Sequence, residues 1–153
     1  MKKEKFHIEY IFDKVSRRSL WNHLTTPPGL SAWFADDVTI KGNIYVFKWN
    51  KTEQEAKRLS QKPEISVRYQ WTEDESEDTY FEFQIHTHEL TGSTSLEITD
   101  FAEAGEKMDS IDLWDTQVEA LKRTLGNKLY IVHSVSYPIV FSQLLRRQPD
   151  KQC

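Results

Sequence analysis

Ser19-Leu20-Trp21-Asn22-His23-Leu24-Thr25-Thr26-Pro27-Pro28-Gly29-Leu30-Ser31-Ala32-Trp33-Phe34 is the stretch that decides the fold. Leu20, Trp21 and Leu24 give one helix its apolar stripe, behind Ser16, which reads as its N-cap. Thr25 to Gly29 stops that helix, because proline cannot continue it and glycine tolerates the reversal. Leu30, Trp33 and Phe34, at i, i+3 and i+4, predict a second short helical turn.

Outward from this pair of helices the period changes to two. On the N-terminal side Phe6, Ile8, Tyr10 and Phe12 alternate with polar residues as in a half-buried strand. On the other side Val38 and Ile40, then Ile44 to Trp49, read as strands around a Lys41-Gly42-Asn43 turn. Ile65 to Trp71, Phe81 to Ile85 and Thr94 to Ile98 alternate in the same way, with the acidic run Glu73 to Asp78 as a solvated loop. Glu53 to Gln61 has helix-forming composition but only Ala56 and Leu59 as apolar residues, and its charges predict an exposed edge strand. These are antiparallel meander spacings, so a sheet with one apolar face is expected.

The last strong element is a helix from Asp109 to Leu125. Ile111, Trp114, Val118, Leu121 and Leu125 follow 3-4 spacing, which makes one face apolar along about 25 Å. Asp109 and Asp112 suit its N-terminus, Lys122 and Arg123 its C-terminus, and Gly126 its stop. A one-sided sheet and one long amphipathic helix must pack together.

Composition bounds the function. The chain has 153 residues, a single-domain length, with 12% aromatic residues including five Trp. A net charge of −4 offers no basic field for nucleic acid. The one cysteine, Cys153, fits a reducing cytoplasm. The N-terminus does not resemble a signal peptide, and no run of eighteen apolar residues predicts membrane insertion.

These residues resemble the START-like (SRPBCC, helix-grip) superfamily, in a branch similar to homologues of the activator of the heat-shock chaperone ATPase. The resemblance is carried by Leu20 to Pro27, Gly29 to Phe34, Tyr80-Phe81-Glu82-Phe83, Leu96 to Phe101, Leu113-Trp114 and Leu121 to Gly126, in that order. It implies an α+β fold, β-α-α-β6-α, with a curved antiparallel sheet around the C-terminal helix and a cavity between them. Members with this fold bind lipids, sterols, polyketides or plant hormones; some are cyclases or hydratases, and some bind chaperones. The expected organisation is a helix-grip domain over 1–127 and a C-terminal extension over 128–153. In the extension Tyr137, Val140, Phe141 and Leu144 predict a short amphipathic helix after Pro138, to cover a groove or a dimer surface.

Candidate chemistry is sparse. His86 and His88, at i and i+2 on a strand, project to one face as metal-binding His-x-His pairs do, with Glu82 or Glu97 as a third ligand; the alternation of Phe81, Phe83 and Ile85 puts them on the solvent face instead. His23 reads as a surface or capping group, and Asp36-Asp37 as the end of a helix. Asp100, Asp109, Asp112 and Asp115 read as caps and solvated positions, and Glu53 and Glu55 as edge-strand charges. No dinucleotide, phosphate-loop, zinc-protease or serine-hydrolase motif occurs, and the five glycines fall at expected turns or caps. The expectation is therefore a non-catalytic domain without metal or cofactor, binding a small apolar ligand. Its cavity would be lined by Trp33, Phe34, Phe47, Trp49, Tyr69, Trp71, Phe81, Phe83, Trp114 and Val118. The alternatives are a protein-interaction module, working as a homodimer or on a chaperone, and a small cyclase- or hydrolase-like enzyme.

Overall fold

The structure is a computed structural model that describes residues 2–127; the extension predicted over 128–153 lies outside the described residues. The order is β1 (Glu4–Phe12), α1 (Arg17–Thr25), α2 (Pro27–Ser31), β2 (Asp37–Lys41), β3 (Ile44–Trp49), β4 (Thr52–Lys62), β5 (Ser66–Trp71), β6 (Phe81–Thr87), β7 (Thr94–Ala102) and α3 (Lys107–Thr124). Short 3-10 turns follow β5 and precede α3. This is the α+β helix-grip architecture. All seven strands form one antiparallel sheet in the order β1-β7-β6-β5-β4-β3-β2. Because β1 and β2 lie at opposite edges, α1 and α2 carry the chain across the sheet's full width.

The alternation seen in the sequence becomes burial. Phe6, Ile8, Tyr10 and Phe12 on β1 and Phe81, Phe83 and Ile85 on β6 face inward, while Ile111, Trp114, Val118 and Leu121 on α3 close over them. β4 departs from the expectation of an edge strand. It pairs with β3 on one side and β5 on the other, with a bulge between Arg58 and Ser60. Its charges are still exposed, because Ala56 is its one buried residue. The strand is thus internal by hydrogen bonding and edge-like by solvation, which is why composition alone misplaces it.

The break between α1 and α2 is also tighter than Thr25 to Gly29 suggested. It is one residue, Thr26. Thr26 Oγ1 donates to Asn22 O at 2.7 Å, at the end of α1, and accepts from Gly29 N at 3.1 Å, at the start of α2. Pro27 and Pro28 then open α2, where a missing N–H costs nothing. Trp33 and Phe34 follow α2 in a turn whose amides reach back to Leu30 O. Ser16 caps α1 as read, accepting from Ser19 N at 3.0 Å.

Gly29 is inside α2 and not at a turn. A Cβ built there lies 2.1 Å from Asn22 O and 2.6 Å from His23 Cα. Both neighbours are backbone, so neither can give way. Gly29→Ala is therefore expected to lower stability by about 3 kcal/mol, the upper part of the usual overpacking range. Urea unfolding measures this; a loss below about 1 kcal/mol would show that α1 and α2 can separate freely.

Candidate functional site

Phe34 is the centre of the aromatic set. Its ring stacks near Trp114 at 5.9 Å and Phe81 at 5.9 Å, meets Phe47 edge-on at 5.0 Å and Trp49 at 5.9 Å, and faces Trp71 at 6.5 Å. Tyr69 and Phe83 complete the packing through contacts with Phe81. The ten residues expected to line a cavity thus converge, and most of them pack ring on ring. Phe47, Tyr69, Phe81, Phe83 and Val118 are fully enclosed, and Trp114 is close to it. Offset and edge-on pairs of this kind each add about 0.5–1.5 kcal/mol beyond burial.

Three of the ten, Trp33, Phe34 and Trp49, also reach the rim of the grip. There, with Leu113, Gln117 and Ala120 of α3, they line a groove of about 360 Å³. Leu113, Gln117 and Ala120 are not among the ten residues expected to line a cavity, yet they carry a signal. With Thr124 they form a second helical stripe at 4-3-4 spacing, flanking the apolar one. Gln117 Nε2 donates to Phe34 O at 3.3 Å, and Trp49 Nε1 donates to the same oxygen at 3.0 Å. These two bonds fix the Trp33–Phe34 turn over the sheet, so the groove's floor is held from both sides. Asp36 is the one ionisable group among the groove's lining residues, and it is exposed.

Two aspartates read as solvated are not. Asp115, on α3, is buried and accepts from Tyr10 Oη at 2.8 Å. Asp100, at the end of β7, accepts from Trp114 Nε1 at 2.9 Å and from its neighbour Phe101 N at 2.8 Å. Desolvation pushes the Asp100 carboxyl up to about 6, against the two hydrogen bonds and Lys3, which pull it down. Lys122 stands in the last turn of α3, as expected, and is buried there; its Nζ donates to Ile11 O and lies 4.8 Å from the Phe12 ring centre. Burial holds that ammonium below the usual lysine range.

The histidine pair faces outward. His86 Nε2 meets Glu97 at 3.2 Å and His88 Nε2 meets Glu9 at 3.3 Å, so each ring has its own carboxylate on the exposed face. No cluster of three or more metal-ligating side chains occurs among the described residues. His23 Nδ1 bonds Ser19 O at 2.8 Å within α1. Asp37 and Glu55 are exposed, and exposed Glu53 pairs with Lys48 at 3.9 Å. No described helix is long and apolar enough to cross a membrane.

A profile of the START-like superfamily domain matches residues 1–127. The chain belongs to the START-like superfamily. Among solved structures, BfR322 from Bacteroides fragilis is 42% identical, with a TM-score of 0.61 over 81% of this chain and 92% of that one. The Aha1 dimer from Colwellia psychrerythraea is 25% identical, with a TM-score of 0.65 over 82% and 96%. CalU16 from Micromonospora echinospora, at 12% identity and a TM-score of 0.64 over 97% and 83%, shares the fold. No curated protein matches the chain.

Asp100 gives this START-like domain a measurable pH signature. A carboxyl raised to about 6 in the folded state and near 3.8 in the unfolded one makes the folded state bind more protons between those values. Its contribution to stability therefore declines as pH rises from about 4 to about 6 and is constant above. Asp100→Asn removes this dependence while keeping an acceptor for Trp114. The stability difference, variant minus wild type, is expected to shift in the variant's favour by about 2–3 kcal/mol from pH 4 to pH 7. Urea unfolding at both pH values tests it, and a difference independent of pH would refute the buried charge.

Proposed function

We propose that the domain is a non-catalytic binding module of the cytoplasm that holds a small apolar ligand in the rim groove between the Trp33–Phe34 turn and α3. The observation that carries this reading is the groove's chemistry. One wall is aromatic, the other is Leu113 and Ala120; Trp49 Nε1 and Gln117 Nε2 beside them are already committed to Phe34 O, and Ser31 and Asp36 add polar groups to the lining. A guest there gains by covering apolar surface, at about 25 cal/mol per Å². It finds no acid–base pair, which argues against catalysis in the groove. The volume, about 360 Å³, lies at the small end of ligand pockets, so a ring or a short acyl chain fits better than a sterol.

A second reading, a protein-interaction module, is favoured by one feature of the same place. Leu113 is 61% exposed at the groove's lip, and the 25%-identical relative is described as the Aha1 dimer. On that reading a partner's apolar side chain, from a second copy or a chaperone, occupies the groove.

Ala120→Trp fills the groove from the helix, against the Trp33, Phe34 and Trp49 side of it. Indole and decanoate, titrated onto protein purified without detergent, are expected to bind wild type and to lose at least tenfold in affinity to the variant. Equal affinity would exclude the groove as the ligand site. A wild-type dimer that A120W converts to monomer, with no binding of either probe, would replace the first reading by the second. Trp114→Ala is a poor substitute, since truncating that nearly buried indole costs about 3–5 kcal/mol of stability.

A further inference from the structure

The chain leaves α3 beside the end of β1. Gly126, with φ at +74°, ends the helix through two bonds, Asn127 N to Lys122 O at 2.8 Å and Gly126 N to Arg123 O at 3.1 Å. Asn127 is then clamped to the residue that follows β1. Its Oδ1 accepts from Asp13 N at 2.7 Å, and its Nδ2 donates to Asp13 O at 2.9 Å. We propose that residues 128–136 run back from this clamp along the outer edge of β1, antiparallel to it, as an eighth strand of the sheet.

β1 presents the template. It pairs with β7 on one side and has no strand on the other among the described residues. The direction of its polar groups follows from the ladder. His88 N donates to Ser93 O, so β7 turns its odd-numbered residues towards β6 and its even-numbered ones towards β1. The partners of those even-numbered residues, Phe12, Tyr10, Ile8, Phe6 and Glu4, face back towards β7. Lys5, His7, Glu9 and Ile11 therefore aim their N–H and C=O groups away from it, and Ile11 O accepts from Lys122 Nζ there. An edge of nine residues with no bulge in its pairing invites another strand. β2, at the opposite edge, has only five residues.

The sequence after Asn127 fits that edge in length and kind. Lys128 to Ser136 is nine residues, as is β1. The run includes Tyr130, Ile131, Val132 and Val135 and holds neither glycine nor proline. Pro138, which cannot donate to a ladder, follows shortly after it. With Asn127 opposite Asp13, Ser136 falls opposite Glu4, so run and edge end together. In that register Ile131 pairs with Glu9 and His133 with His7, each through two backbone hydrogen bonds. Val132 stands beside Ile8, and Leu129 covers Ile11, which is 38% exposed. Because the run starts at the edge it fills, pairing is intramolecular, at an effective concentration on the order of millimolar.

The test is amide hydrogen exchange and nuclear Overhauser contacts on the full chain by NMR. The His7 and Glu9 amides are expected to exchange at least tenfold more slowly than exposed amides, and the Ile8 and Val132 Hα atoms to be in contact. Ile131→Pro removes a donor from the middle of the run and is expected to lift the His7 and Glu9 protection tenfold or more. Ile131→Val is expected to keep it. The Phe6, Ile8 and Tyr10 amides, which face β7, are expected to stay protected in both variants, showing that the domain is folded. Unprotected His7 and Glu9 amides in the wild type, protection that survives in I131P, or no Hα contact between β1 and residues 128–136 would each overturn the proposal. So would protection that falls on tenfold dilution, which assigns the edge to a second copy. None of these residues lines the rim groove, so the outcome is independent of the ligand proposed there.

Discussion

The end of α1 is the constraint on which the rest of the molecule depends. A helix leaves its last four carbonyls without partners in the helix itself. Here side chains donate to each of the four, those of Asn22 to Thr25, and to Trp21 O before them. Thr25 Oγ1 donates to Trp21 O at 2.8 Å, Thr26 to Asn22 O at 2.7 Å, Trp33 Nε1 to His23 O at 2.7 Å, Tyr69 Oη to Leu24 O at 2.7 Å, and Tyr45 Oη to Thr25 O at 3.2 Å. Two of these donors come from the sheet, Tyr45 on β3 and Tyr69 on the central β5, and one from the turn after α2. The same bonds that satisfy the helix end therefore fix α1 on β3 and β5 and set where Trp33, and so Phe34, must lie. Burial, with neighbouring Tyr45 adding to it, raises the Tyr69 hydroxyl far above its ordinary range, so it remains a donor at any pH the fold meets.

With Phe34 fixed, the described rings of the interior pack on one another, and the groove lined by Trp33, Phe34 and Trp49 lies at the rim. The rim groove inherits its shape from the Trp33–Phe34 turn, and Asp100 at the end of β7 is held in place by Trp114. Groove and carboxylate thus draw on one cluster, the first through Phe34 O and the second through the Trp114 indole. The proposed ligand site therefore lies at the margin of the grip, beside the packed rings.

The fold was legible because it rests on local signals: the period-two runs, the 3-4 stripe of α3, the Ser16 cap and the Gly126 stop all act within a few residues of chain. The aromatic cluster was legible as a membership list, since large rings in alternating positions have nowhere to go but inward. What the rings would do together, surround a space or fill it, depends on how closely β3, β5 and β6 curl around Phe34, and no local pattern encodes that. β4 was misplaced because exposure and edge position usually coincide and here they separate. Asp100 and Asp115 were misread for a related reason. Their partners, Trp114 and Tyr10, lie 14 and 105 positions away, so an acidic residue that looks like a cap acquires its burial only from tertiary structure.

The arrangement around Phe34 has a spectroscopic consequence. Four of the five tryptophans, Trp33, Trp49, Trp71 and Trp114, touch that one ring. Indoles so close exchange excitation before they emit, so the intrinsic fluorescence of this protein behaves as nearly a single chromophore at the junction of turn, sheet and helix. A rearrangement of the Phe34 ring would register in most of the emission at once, whereas events on the outer face of β1 or β7 would be nearly dark.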